Sequence, residues 1–344
     1  MAKRPDKPKK EKCPDIGGQA VVEGVMMKGP DAIAVSVRRP DGNIARSYQK
    51  YVPPSKRHKW MGWPVIRGVV NMVVMLMTGV SILETSAKLL GIEEEQPSKF
   101  EKWLSDRLGK SIDKIVMGVA LVLAVGLSLV LFMVLPNLAA ALINRTVSSL
   151  LVVNLFAGLV RILILIGYIW ATGFIPDMRR VFMYHGAEHK TVYCHEAKLE
   201  LTPDNAKQFS TLHPRCGTSF LLIVMIIAVL LGAISDQLIH IAFGIPRMTF
   251  AARLLRSLII LPIVAGVSYE ALQGLAHSNN VWVRALRWPG LQMQRLTTRE
   301  PDESMLEIAI DALQRALGIK QIEPVQQEVL EAVDAVPPAE MVDL

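Results

Sequence analysis

The strongest chemical character in this chain lies in the imidazoles and thiols gathered between His185 and Cys216. The stretch opens with His185-Gly-Ala-Glu-His189, continues through Cys194-His-Glu196 and closes on His213-Pro-Arg-Cys216. Four of the seven histidines and two of the three cysteines fall here. Neutral imidazole and thiolate are the donors that hold zinc and related divalent ions. On a helix, residues i and i+4 share a face, so His185 and His189 can reach one ion. Glu188 stands one position before His189, in the order of the inverted zinc-peptidase signature, whose glutamate is the general base. The expected site is therefore His185 and His189 as metal ligands, His213 or Cys216 as the third, and Glu188 as catalytic base. Three protein ligands would leave an open position for polarising water. Four would make a closed structural site. Cys194 reads equally well as a small buried apolar residue, and His195 and Glu196 as solvated residues at a helix end.

A second set of polar residues sits among apolar ones. Glu23 lies within Gly17-Gly-Gln-Ala-Val-Val-Glu-Gly24, where a carboxylate needs a metal or a cationic partner. It is expected as an outer orienting group or an additional ligand, or as the partner of Arg67 or Arg215. Arg161 and Glu270 lie in apolar runs and are expected to face the bundle interior and pair. In Arg295-Leu-Thr-Thr-Arg-Glu-Pro301 the hydroxyls can cap a following helix.

The elements that must position these groups are mostly hydrophobic. The chain has 344 residues and a net charge of +7, with a mean hydropathy of +0.33. Four segments have the roughly 20 apolar residues that a spanning helix requires. They are Ile115–Leu135, Leu150–Ile175, Thr218–Ser235 and Leu254–Ala276. Trp60–Leu90 is apolar in its middle but carries Arg67, Glu84 and Lys88. Lys and Arg concentrate in the N-terminus, in Asp177–Arg215 and after His277, and positive charge favours the cytoplasmic side. Both termini and the His/Cys segment then lie inside only if Trp60–Leu90 does not cross. That segment is expected to be interfacial or re-entrant. The fold class is mainly α, a polytopic membrane protein with about four transmembrane helices, one interfacial or re-entrant helix and a small N-terminal β unit.

Along the chain, residues 1–14 read as a basic disordered tail and 15–59 as the β unit, with a hairpin turn at Pro40-Asp-Gly-Asn43. Residues 60–114 hold the interfacial helix and a charged, helical connector. The first hairpin occupies 115–175, with Pro136 ending or kinking its first helix. The cytoplasmic His/Cys segment occupies 176–217 and the second hairpin 218–276. Residues 277–320 carry an amphipathic helix from Asp302 to Leu317, and 321–344 form an acidic tail. Three cysteines in a cytoplasmic setting argue against a disulfide framework. The basic balance suits anionic lipid heads, and no RNA-binding motif accompanies it.

Several motifs occur together and in order: Gly17-Gly-Gln-Ala-Val-Val-Glu-Gly-Val-Met-Met27, Arg67-Gly68, Tyr184-His-Gly-Ala-Glu-His-Lys-Thr191, His213-Pro-Arg-Cys-Gly-Thr-Ser-Phe220 and Leu296-Thr-Thr-Arg-Glu-Pro301. Across Ile16 to Leu317 the chain resembles the YqhQ-like family of bacterial membrane proteins. The resemblance implies an integral membrane location and a metal-dependent enzyme of no established reaction. Two functions are expected from these readings. One is a zinc-dependent hydrolase at the cytoplasmic face of the plasma membrane. The other is a non-enzymatic scaffold with a structural metal, which binds another membrane complex or a ribosome–translocon assembly.

Overall fold

The computed structural model describes residues 16–91, 112–244, 249–277 and 280–320. The expected basic tail, acidic tail and most of the charged connector lie outside the described residues. Four strands come first: β1 (Gly17–Val21), β2 (Gly24–Lys28), β3 (Ala32–Arg38) and β4 (Ile44–Lys50). They pair antiparallel in sequence order, each with its neighbour. At the β3–β4 turn Gly42 takes φ +85°, and Asp41 accepts a hydrogen bond from the Asn43 backbone N–H at 2.9 Å.

Nine helices of nine residues or more follow among the described residues: α1 (Ile66–Leu90), α2 (Ile112–Leu129), α3 (Leu135–Ile143), α4 (Leu150–Thr172), α5 (Pro176–Glu196), α6 (Gly217–Phe243), α7 (Phe250–His277), α8 (Val281–Thr297) and α9 (Glu303–Ala316). Among the described residues, five helical stretches are long and apolar enough to cross a membrane: α1, Leu121–Ile143, α4, α6 and Ala251–Leu275 within α7. A π turn at Val130–Val134 joins α2 to α3, and Pro136 stands in the first turn of α3. The expected kink is thus a local widening of one continuous rod, and Pro262 sits inside α7 without breaking it. Helix α8 contains Pro289 and precedes the amphipathic helix expected from Asp302 to Leu317.

Side chains alternate across the sheet, so each strand feeds two cores. On one face Val25, Met27 and Ala34 pack with Tyr184 and Ala187 of α5 and with Met305, Ile308 and Leu313 of α9. On the other, Val21, Met26, Val35 and Val37 pack with Ile82, Leu89 and Leu90 of α1. Helices α4, α6 and α8 share a third cluster of Leu165, Leu222 and Met293.

Helix α1 is a single unbroken helix, so the re-entrant alternative for Trp60–Leu90 does not describe its shape. Its N-terminal turn meets α7, where Gly68 lies so close to Gly266 and Tyr269 that an added Cβ would sit 2.8 and 2.7 Å from them. Small residues permit such close helix approach. Farther along, Met75 reaches Gly217 at the start of α6, and the last turns cover the sheet. Between these contacts Leu76, Met77, Val80 and Leu83 form an exposed apolar face.

Candidate metal centre

Helix α5 presents both imidazoles. Pro176 occupies its first turn with Asp177 beside it, a favourable N-terminus because Pro lacks the orphan N–H and a carboxylate suits the helix dipole. Two turns farther on, His185, Glu188 and His189 project from neighbouring faces. Gly186 leaves room for the backbone of Arg299, whose carbonyl oxygen would lie 2.0 Å from an added Cβ. The Arg299 N–H bonds to the Phe182 carbonyl at 2.9 Å, so the segment after α8 lies directly on α5.

That segment fixes the first imidazole. His185 Nδ1 lies 2.9 Å from the Thr297 carbonyl oxygen. A carbonyl only accepts, so Nδ1 carries the proton and Nε2 presents its lone pair. His189 Nδ1 donates in the same way to the Thr211 carbonyl, and among the described residues its buried Nε2 has no hydrogen-bond partner. His185 Nε2 stands 3.2 Å from Cys216 Sγ. The ligand atoms of His185, His189 and Cys216 all lie within 4.8 Å of one another. Imidazoles held through Nδ1–H to backbone carbonyls, with Nε2 turned to a common point, match the outer support seen around metal-bound histidines.

The strap from 207 to 213 is tied along α5. Buried Lys190 donates to the Lys207 and Phe209 carbonyls at 3.0 and 2.7 Å, and Tyr193 Oη donates to the Leu212 carbonyl at 3.0 Å. Gln294 of α8 clamps His213 at both backbone groups and also bonds Ser219 Oγ. Cys216 is the N-cap of α6, its sulfur accepting from the Thr218 N–H at 3.4 Å. The sulfur therefore stands at the positive end of that helix's dipole.

His213 is buried next to this group, with its ring 5.7 Å from that of His189. Its Nδ1 accepts from the Arg215 N–H, and its Nε2 lies 3.3 Å from Glu196. Burial holds the His213 imidazole down at about 4, against the opposing charge of Glu188. Burial likewise lowers His189. Glu188 is buried, which raises its carboxyl above the usual range, while His185, His213 and the Gly18 N–H act to lower it. The carboxyl group rests on β1: a Cβ at Gly18 would lie 2.7 Å from Glu188 Cδ.

Of the residues singled out from the sequence, the structure brings together His185, His189 and Cys216, with His213 and Glu188 flanking them. Glu23 is not in that group. It has φ +53° in the β1–β2 turn, both its oxygens accept from Arg180, and Tyr184 Oη donates to it at 3.2 Å. The cationic partner of Glu23 is thus Arg180, rather than Arg67 or Arg215. Glu270 pairs with Arg67 at 2.6 Å, not with Arg161. Thr297 and Thr298 turn their hydroxyls back to the Gln294 carbonyl, and Asp302 caps α9 instead. Cys194 is buried and donates to the Glu200 carbonyl.

Comparison with known proteins adds a family. The profile of a family described as a protein of unknown function (DUF1385) matches residues 63–319. The uncharacterised protein YqhQ of Bacillus subtilis (strain 168) is 30% identical over 321 residues, covering 92% of this chain and 96% of the relative. No solved structure matches the chain.

Proposed function

We infer that this chain, which belongs to the DUF1385 family of proteins of unknown function, is a multi-pass membrane metalloprotein with hydrolytic chemistry at its cytoplasmic face. The observation that carries the metal is the paired tautomer: two Nδ1–H groups spent on the Thr297 and Thr211 carbonyls leave two Nε2 lone pairs beside one cysteine sulfur. A donor set of two nitrogens and one sulfur suits zinc. Bound there, a zinc ion would supply Lewis acidity and leave one position open. Glu188 supports hydrolysis. It is buried beside His185 and His213, and burial raises its carboxyl, as a general base near neutrality requires. The concentration of Lys and Arg in the segment 177–215 supports a cytoplasmic site in the plasma membrane. The contacts of α1 with α7, with the start of α6 and with the sheet support an interfacial helix beside four crossings, with both chain ends inside.

Metal analysis of the detergent-purified chain tests the site. The wild type carries about one zinc per chain and His185→Ala/His189→Ala nearly none, since the remaining donors cannot hold the ion. Equal metal in both proteins ends the reading. Glu188→Gln retains the metal and loses hydrolytic turnover.

Burial of His213 4% exposed beside His189 favours a second reading, in which a ring turn makes it a fourth ligand and the metal staples a scaffold that binds another membrane complex or a ribosome–translocon assembly. X-ray absorption separates the two. Two nitrogens, one sulfur and one exchangeable light atom support the hydrolase; three imidazoles and one sulfur support the staple.

A further inference from the structure

A cavity of about 440 Å³ lies among α2, the π turn, α3, α4, α6 and α7. Its walls are mainly apolar, with Leu129, Phe132, Val229 and Leu261 among them. Into it come three guanidinium groups, Arg161, Arg253 and Arg256, and one carboxylate, Asp236. Asp236 is already engaged by Arg256 and by Asn154 Nδ2 at 3.0 Å. Arg161 donates to the Phe132 carbonyl in the π turn at 2.8 Å, and Arg253 donates to Asn137 Oδ1. Among the described residues neither has a carboxylate partner, and buried Arg256 Nε lacks a hydrogen-bond acceptor. Two positive charges are left uncompensated inside a bundle of spanning-type helices. Ionisable groups at such depth are expensive and mark binding sites or pathways.

We propose that this cavity binds the phosphomonoester head of an anionic lipid. A phosphomonoester carries about −1.5 to −2 charge at neutral pH, which matches the two surplus guanidiniums. Its oxygens suit the planar donor forks of arginine. The apolar walls accept the start of an acyl or isoprenoid chain. Leu129 and Leu261 line the cavity and are also 37% and 46% exposed on the bundle's flank, so a chain can leave sideways into lipid. The π turn is part of the site. Such turns withdraw carbonyls from the regular ladder, and the one at Phe132 holds Arg161 in place. The site lies in the half of the bundle away from the metal centre, since Asp236 is about 30 Å along α6 from Cys216 at 1.5 Å per residue. It does not depend on the metal reading.

The test is binding to the full-length protein in phosphatidylcholine nanodiscs. Phosphatidic acid, phosphatidylglycerol and soluble glycerol 3-phosphate are titrated separately. Phosphatidic acid binds saturably and at least about tenfold more tightly than phosphatidylglycerol, because the second charge meets the second surplus guanidinium. Arg253→Gln weakens it by about tenfold on the same basis, and Arg253→Lys restores part of the loss. Leu261→Trp fills the cavity from its exposed side without touching the charges and also blocks binding. This variant keeps the test decisive if Arg253→Gln does not fold. Equal affinity for the two lipids, or phosphatidic acid binding unchanged in the variants, overturns the proposal. Glycerol 3-phosphate binding as tightly as phosphatidic acid overturns the lipid assignment and gives the site to a soluble phosphate.

Discussion

Glu188 shows how narrowly a single side chain is held. Its carboxyl occupies the space where a side chain at Gly18 would stand, whereas a Cβ at the adjacent Gly17 meets nothing within 4 Å. Gly18→Ala should therefore cost about 1–3 kcal/mol as an overpacked contact, read as a lower Tm of the purified protein. Gly17→Ala should melt like the wild type, and equal shifts for the two would refute the close approach. At this scale the sequence was partly legible. His185 and His189 were readable because their spacing is one helical turn, and Cys216 because a cysteine beside Pro214 and Gly217 is conspicuous. The Thr297 and Thr211 carbonyls were not readable. They are backbone atoms, so nothing in the residue type announces that they orient an imidazole. The Glu23–Arg180 pair joins residues 157 positions apart, a separation that charge counting cannot bridge.

The element that binds the sheet to the rest is α9, and its anchor is Asp311. This carboxylate accepts from Ser36 Oγ of β3 at 2.9 Å, from Arg46 of β4 at 2.9 Å and from Arg315 one turn on at 3.1 Å. Burial works to raise the carboxyl, but the bonds from Arg46 and Ser36 outweigh it and hold it below the usual aspartate range. A depressed carboxyl stabilises the fold above its ordinary value and loses that contribution as pH falls through its folded value. Stability should thus fall as acid is added below about pH 4. Asp311→Asn should lose about 3 kcal/mol at pH 7, because it removes the buried carboxylate that Arg46, Arg315 and Ser36 all bond to. It should also show a shallower acid limb in thermal melts from pH 7 to pH 3, and an acid limb as steep as the wild type would exclude this role. The helix itself was legible from its apolar stripe at Met305, Ile308 and Leu313. Helix α8 was not, because Pro289 stands inside it and a proline ordinarily ends or kinks a helix. Its helical state is supported by packing of Met293 on α4 and α6 and by the bonds Gln294 makes to His213.

For the molecule as a whole, the sheet fixes the topology. Helix α1 follows β4 in sequence, yet its last turns return to the same sheet, whose other face holds α5 and α9. Lys50→Cys and Gly91→Cys, each in a Cys13→Ser background, should therefore label with a membrane-impermeant maleimide from the same side of sealed vesicles. Arg145→Cys should label from the opposite side. Labelling of Lys50→Cys and Gly91→Cys from different sides would make α1 a crossing. The charge rule pointed to this arrangement, but the sequence could not show that one helix serves both the bundle and the sheet. The His185/His189/Cys216 cluster has a further property at this scale. His185 and His189 are synthesised before the second hairpin, Cys216 stands where that hairpin begins, and the carbonyl that orients His185 belongs to Thr297, 112 residues downstream. The nascent chain therefore gains the cluster and its support in instalments. The Thr297 carbonyl arrives only after α6 and α7 have been translated and α8 has folded back onto α5, so a completed cluster is a chemical record that biogenesis has finished.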